Sequence, residues 1–237
     1  PPALMAFKLY QNAEILFLEE SMITKKVLGE EHPHYASSLN DLGSMYSSWG
    51  KFEKAKPLIL KAMEIWKQTF GENNQDYATG LNNLGILYEG LGEYSKAEKY
   101  YERSLALKEQ LGDKRGVLTT TISLGDVYKE LNQNQKAEVN YKSALATARS
   151  MKLVVEEARI LHQTGLLNKR MNNFELAREN FNKSIVLSEQ LGDSTTRAKS
   201  KSELIGLDVE EQNKKNTETE LLNSLNTVIR IGDRQQQ

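Results

Sequence analysis

One register of glycines constrains this chain more than any other feature. Gly43, Gly85, Gly125 and Gly165 stand 42, 40 and 40 residues apart. A fixed period of this length marks a stack of similar supersecondary units. Other positions keep the same step. Leu42, Leu84, Leu124 and Thr164 precede the glycines, and Tyr46, Tyr88, Tyr128 and Asn168 follow them by three residues. Ala55, Ala97, Ala137 and Ala177 follow by twelve, Ile59, Tyr101, Tyr141 and Phe181 by sixteen, and Met63, Leu105, Leu145 and Ile185 by twenty. Within each half of a unit the apolar positions recur at steps of three and four, which is one face of a helix. Breaks near Gly50, Gly92 and Asn132 split each unit into two helices of an antiparallel hairpin. Two helices approach closely only where small side chains meet, so the Gly and Ala columns are expected at the crossings, with Tyr, Phe and Leu filling the space beside them.

The repeat resembles that of the tetratricopeptide family, in which L-x-x-L-G-x-x-Y is followed by Gly and then by a later Ala and aromatic residue. LNDLGSMYSSWGKFEKA (39–55) and LNNLGILYEGLGEYSKA (81–97) carry it most fully. The units are longer than usual. LGEEHPHYASSLNDLG (28–43) and AKPLILKAMEIWKQTFG (55–71) resemble the long repeats of kinesin light chains and of bacterial repeat proteins. The fold this implies is all-α: a right-handed superhelical solenoid of antiparallel hairpins, with about five repeats and a partial N-terminal unit. The expected divisions are 1–29 (partial), 32–71, 74–112, 114–152, 154–192 and 194–232 (a degenerate cap), forming one array over 1–237. Tyr10, Ala13, Phe17, Leu28 and Gly29 match only a second helix. The cap keeps Ala198, Leu204, Leu221 and Leu225 but has Ile205, Asp208 and Thr217 where Gly, Tyr and Ala are expected, and 210–220 reads as a loosened turn. The chain opens on Pro1-Pro2 without Met, which reads as a piece of a longer protein.

Composition narrows the function. Lys and Arg number 31 against 32 Asp and Glu, a net charge of −1, so no strong field gathers nucleic acid or an anionic membrane. No apolar run nears the roughly 20 residues that cross a bilayer. The absence of cysteine fits a cytoplasmic setting and removes thiolate metal sites. His32-Pro33-His34 is too small for a closed metal site and reads as a turn with Pro33 in the first turn of a helix. His162 lies on a face expected to line a groove and reads as solvated or hydrogen-bonded. Glu30-Glu31, Glu156-Glu157 and Glu210-Glu211 point about 100° apart on a helix, so they read as solvated faces. Trp49 reads as core and Trp66, one step past an apolar column, as partly exposed. No phosphate-binding glycine loop or nucleophile–base pair appears, so neither an enzyme, a cofactor nor a metal is expected.

What remains is binding. The resemblance implies that first helices line a concave groove, which places Asn40, Asp41, Ser44, Asn82, Asn83, Ile86, Glu89, Ser123, Asp126, Arg159, Gln163, Lys169 and Arg170 there. The asparagines carry donors and acceptors suited either to an extended peptide or to the adjacent hairpin. Charge changes along the groove, from Glu89, Asp126 and Glu130 to Arg159, Lys169 and Arg170, and the basic end suits an acidic or terminal carboxylate. The lysine–asparagine clamp of chaperone-binding relatives lacks its lysine on the early first helices. The function expected is a scaffold or adaptor holding a protein or peptide ligand, with no nucleic acid and no membrane. The alternative is a sensor that restrains a fused effector, such as a protease, kinase or transcription activator.

Overall fold

The computed structural model describes residues 2–235, with side chains described for 7–213, 215, 216, 218, 219 and 222. Among these there are ten helices and no strand: α1 (Pro2–Leu28), α2 (Pro33–Ser48), α3 (Phe52–Phe70), α4 (Gln75–Gly90), α5 (Tyr94–Gln110), α6 (Lys114–Glu130), α7 (Asn134–Ser150), α8 (Val154–Arg170), α9 (Phe174–Leu191) and α10 (Ser194–Gln235). Their contacts divide the chain into two units, one up to Ala144 and one from Leu145, with the division inside α7.

In the first unit α2 pairs with α3 and α4 with α5, and each second helix also packs on the first helix that follows. The glycine column makes the pairing close. A Cβ on Gly85 would lie 2.5 Å from the Tyr101 ring, and one on Gly125 would lie 2.5 Å from that of Tyr141. The small residue of these crossings therefore faces an aromatic ring rather than a second small residue, while Gly43 faces the Ile59 side chain. Ala55, Ala97 and Ala137 are fully buried beside it.

Each hairpin turns on the carbonyl of the tyrosine column. The Glu93 N–H donates to the Tyr88 carbonyl at 2.8 Å while the Gly92 N–H donates to that of Glu89. This closure needs a left-handed residue, supplied by Gly92 at φ 72° and, one unit on, by Asn132 at φ 59°.

The two tryptophans exchange their expected places. Trp66 is 2% exposed, wedged where α3 meets α4. Trp49 is half-buried at the end of α2, stacked on Tyr10 of α1, with the Lys51 ammonium 3.0 Å from its ring centre. The column of Trp49, Leu91 and Leu131 closes helices at the surface instead of filling the core.

In the second unit α8 pairs with α9, and Gly165 sits on the Phe181 ring as its counterparts do. Ala177, Phe181 and Leu207 form the core there, with Leu166, Phe174 and Leu204 against it. The expected turn at 210–220 does not occur, because that stretch lies inside α10. It holds no glycine or proline to end a helix, and the Gln212 amide donates to Asn216 one turn on. Ala198 is exposed rather than a core position. The side chains of Thr217, Leu221 and Leu225 lie outside the described residues.

Candidate functional site

The first helices α2, α4 and α6 form one wall of the first unit. The Asn83 amide donates to Asn40 Oδ1 at 2.8 Å, joining α4 to α2. Thr120 Oγ1 donates to Asn82 Oδ1 at 2.9 Å, joining α6 to α4. α2 and α4 approach one another more closely than α3 and α5 do.

The α4–α6 seam holds a group that no first helix contributes. Lys108 of α5 reaches through from behind and donates to Thr120 Oγ1 at 2.9 Å and to Asn82 Oδ1 at 3.2 Å. It is 5% exposed, and no carboxylate among the described residues lies within ion-pair distance. Burial pushes its ammonium down to about 8, with only the field of Asp113 acting the other way. A lysine can only donate, so the Asn82 oxygen must face it and the Asn82 NH2 is turned away.

Further along the wall the charges are acidic. Tyr101 and Tyr141, both buried, donate to Glu89 Oε2 at 2.7 Å and to Asp126 Oδ1 at 2.6 Å. Burial raises Glu89 against the Tyr101 bond, and Asp126 and Glu130 raise it further. Burial, then the carboxylates they bond, push both tyrosines well above the usual phenol range. Lys129 pairs with Asp126 at 3.3 Å. Ile86, 41% exposed, lies between the Asn82 seam and this acidic end.

The other expected residues of this unit divide between seam and surface. Asn40 is buried, its amide shared between Asn83 and Asp41, so the asparagine pair joins neighbouring hairpins. Asp41 is exposed, yet the wall around it removes enough water to raise its carboxyl against the Asn40 bond. Ser44 and Ser123 are half-buried, the latter near the Tyr101 hydroxyl.

Arg159, Gln163, Lys169 and Arg170 lie in the second unit. Arg159 and Arg170 are exposed and Gln163 is half-buried. Lys169 is already engaged, 3.2 Å from Glu203 and 3.1 Å from Glu210 of α10, and these bonds raise it despite partial burial. Arg178 similarly holds Asp208 and Glu211. Glu210 and Glu211, expected as a solvated face, thus bind α8 and α9 separately.

The histidines are structural. His32 caps α2, its Nδ1 accepting the His34 N–H at 3.1 Å. His162 is buried with Nδ1 3.0 Å from Ser200, whose hydroxyl passes on to Ser184 and so to the Ala158 carbonyl. No group of three or more metal-ligating side chains gathers among the described residues, and no helix is long and apolar enough to cross a membrane.

Sequence reasoning missed Lys108. A sign of it was present: Trp66, Lys108, Ala148 and Ser188 share a position 23 residues past each glycine, all buried, and a lysine in such a column needs a reason.

Two stretches, 50–110 and 98–150, match the family model described as tetratricopeptide repeat. Nothing among curated protein sequences matches significantly. Solved structures share the fold. A Podosopora anserina putative kinesin light chain with TPR-like repeats is 18% identical at a TM-score of 0.63, covering 78% of this chain and 89% of its own. The Rap conjugation gene regulator of plasmid pLS20, in complex with the Phr* peptide, is 17% identical at 0.64, covering 83% and 53%. A signal transduction ATPase with a tetratricopeptide repeat sensor from Pyrococcus horikoshii is 16% identical at 0.70, covering 83% and 29%. Residues 50–150 thus carry tetratricopeptide repeats by the family model, and the solved structures share the same hairpin fold over more of the chain.

Proposed function

We propose that this protein is an interaction scaffold that holds a peptide, or a peptide-like segment of a partner protein, on the wall of first helices. The observation that carries the reading is the surface of α4. An exposed Ile86 stands between an amide seam with unused donors and a half-buried acidic group, so apolar contact, hydrogen bonding and charge lie along one helix face. The Rap regulator of similar fold, solved with a peptide, supports the same use. Binding fits the wall better than catalysis, because the titratable groups of its acidic end are engaged with one another: Tyr101 with Glu89 and Tyr141 with Asp126. Its acidic end disfavours nucleic-acid phosphates. A cytoplasmic adaptor is in keeping with a chain without cysteine.

The test is selection of peptides from a displayed random library on immobilised protein, followed by Ile86→Glu. That position is exposed, so the fold should survive, and selected peptides should bind at least tenfold more weakly. Undiminished binding by folded Ile86→Glu protein would remove the wall from the account.

A second reading, a sensor restraining a fused effector, draws on the ATPase whose repeats are described as its sensor. In the intact gene product, deleting these repeats should then change the activity of an adjoining domain. An unchanged activity rejects restraint.

A further inference from the structure

We propose that Lys108 and Asn82 together form a receptor for a single carboxylate of the bound peptide, with the peptide's positive group directed to Glu89, Asp126 and Glu130. The inference rests on the wall reading above and gives it a ligand chemistry.

Three observations carry it. Lys108 is a nine-tenths buried ammonium whose acceptors among the described residues are two neutral oxygens, with no carboxylate there at ion-pair distance. Burying a charge without an opposite one is costly, and proteins retain such groups where something else uses them. The bonding at the seam also leaves donors rather than acceptors. Thr120 donates to Asn82 and Lys108 donates to both, so one ammonium hydrogen and the whole Asn82 NH2 remain. Asn82 is half-buried on the wall, with the Lys108 ammonium directly beneath it. A carboxylate can take one N–H on each oxygen, which makes it the complement of the pair.

The third observation fixes orientation. Glu89 follows Asn82 by two turns of α4, about 10 Å along the helix at 1.5 Å per residue. Its carboxyl is raised by burial and by Asp126 and Glu130, and Lys129 is the one cation among the groups acting on it. A guest cation there relieves like-charge repulsion while its carboxylate meets Lys108. An extended chain spans about 10 Å in three residues, so the guest is a segment with an acidic and a basic side chain three apart. The acidic neighbourhood favours a singly charged carboxylate over a phosphate.

The probes are acetyl-Lys-Ala-Ala-Glu-amide, its Gln counterpart and inorganic phosphate, titrated into isotopically labelled protein and read by NMR. The Glu peptide should shift the Asn82 side-chain amide saturably, bind at least tenfold tighter than the Gln peptide, and move the Lys108 Cε titration to higher pH. Lys108→Met, checked for fold by circular dichroism, should abolish the discrimination between Glu and Gln. Discrimination that survives Lys108→Met overturns the proposal, as does phosphate matching the Glu peptide at Asn82. Shifts at Ile86 and Glu89 without any at Asn82 overturn it too, while leaving the wall as the peptide site. Silence of every first-helix residue removes both readings.

Discussion

Lys108 sets the chemistry of its seam, and its titration can be followed. Its folded pKa of about 8 lies below the ordinary 10.5, so between these values the unfolded chain binds more protons than the folded one. Stability from this residue therefore rises as pH climbs through that window, and below it the buried charge is a cost on the order of 3 kcal/mol. Lys108→Met should raise the unfolding midpoint at pH 7, with the gain shrinking toward pH 10. Denaturant unfolding of both proteins at pH 7 and 9.5 checks this, and a gain independent of pH would contradict it. Such detail was only half legible in the sequence. The asparagines could be placed on the correct helices by period alone, but Asn40 and Asn83 bonding one another depends on spacing between neighbouring hairpins, which no single period reveals. The charge of a groove-facing Lys169 was readable, whereas its capture by Glu203 and Glu210 required α10 to run straight.

Helices α2 to α9 follow from the pattern because each unit repeats the same glycine and alanine constraints, and the first three repeat the tyrosine as well. Gly125 shows how tight these are. Gly125→Ala drives a methyl into the Tyr141 ring and should cost about 1–3 kcal/mol, as overpacking generally does. An unaltered melting temperature would show that the crossing can yield. The linker after α7 is strained in the opposite sense, with Lys152 at φ 57° where other units place glycine. Lys152→Gly should stabilise by about 0.5–1 kcal/mol, since the left-handed penalty exceeds the added freedom of the unfolded chain. A fall in the denaturant midpoint would count against it. α10 departed from expectation because the pattern carried forward a hairpin that its residues no longer encode. Without a left-handed glycine or a proline, 210–220 has nothing to end the helix.

At the scale of the whole molecule, helices packed only on near neighbours share stability by adjacency rather than through one common core. Within the first unit α4 is covered by α2, α3 and α5, whereas α1 meets α2 and leaves Leu9, Ile15, Leu16 and Ile23 exposed. Amides in the middle of α4 should exchange with solvent at least a hundredfold more slowly than those in the middle of α1, as measured by hydrogen-exchange mass spectrometry. Equal rates would mean the unit opens as one body. The placement of Trp49 and Trp66 gives this protein a built-in optical gauge. Iodide should quench the half-open indole that lies between Tyr10 and Lys51 and spare the sealed one, so Trp49→Phe should leave a bluer emission that the quencher scarcely touches. Loosening of α1 from its neighbour would then register as a colour change in the unlabelled protein.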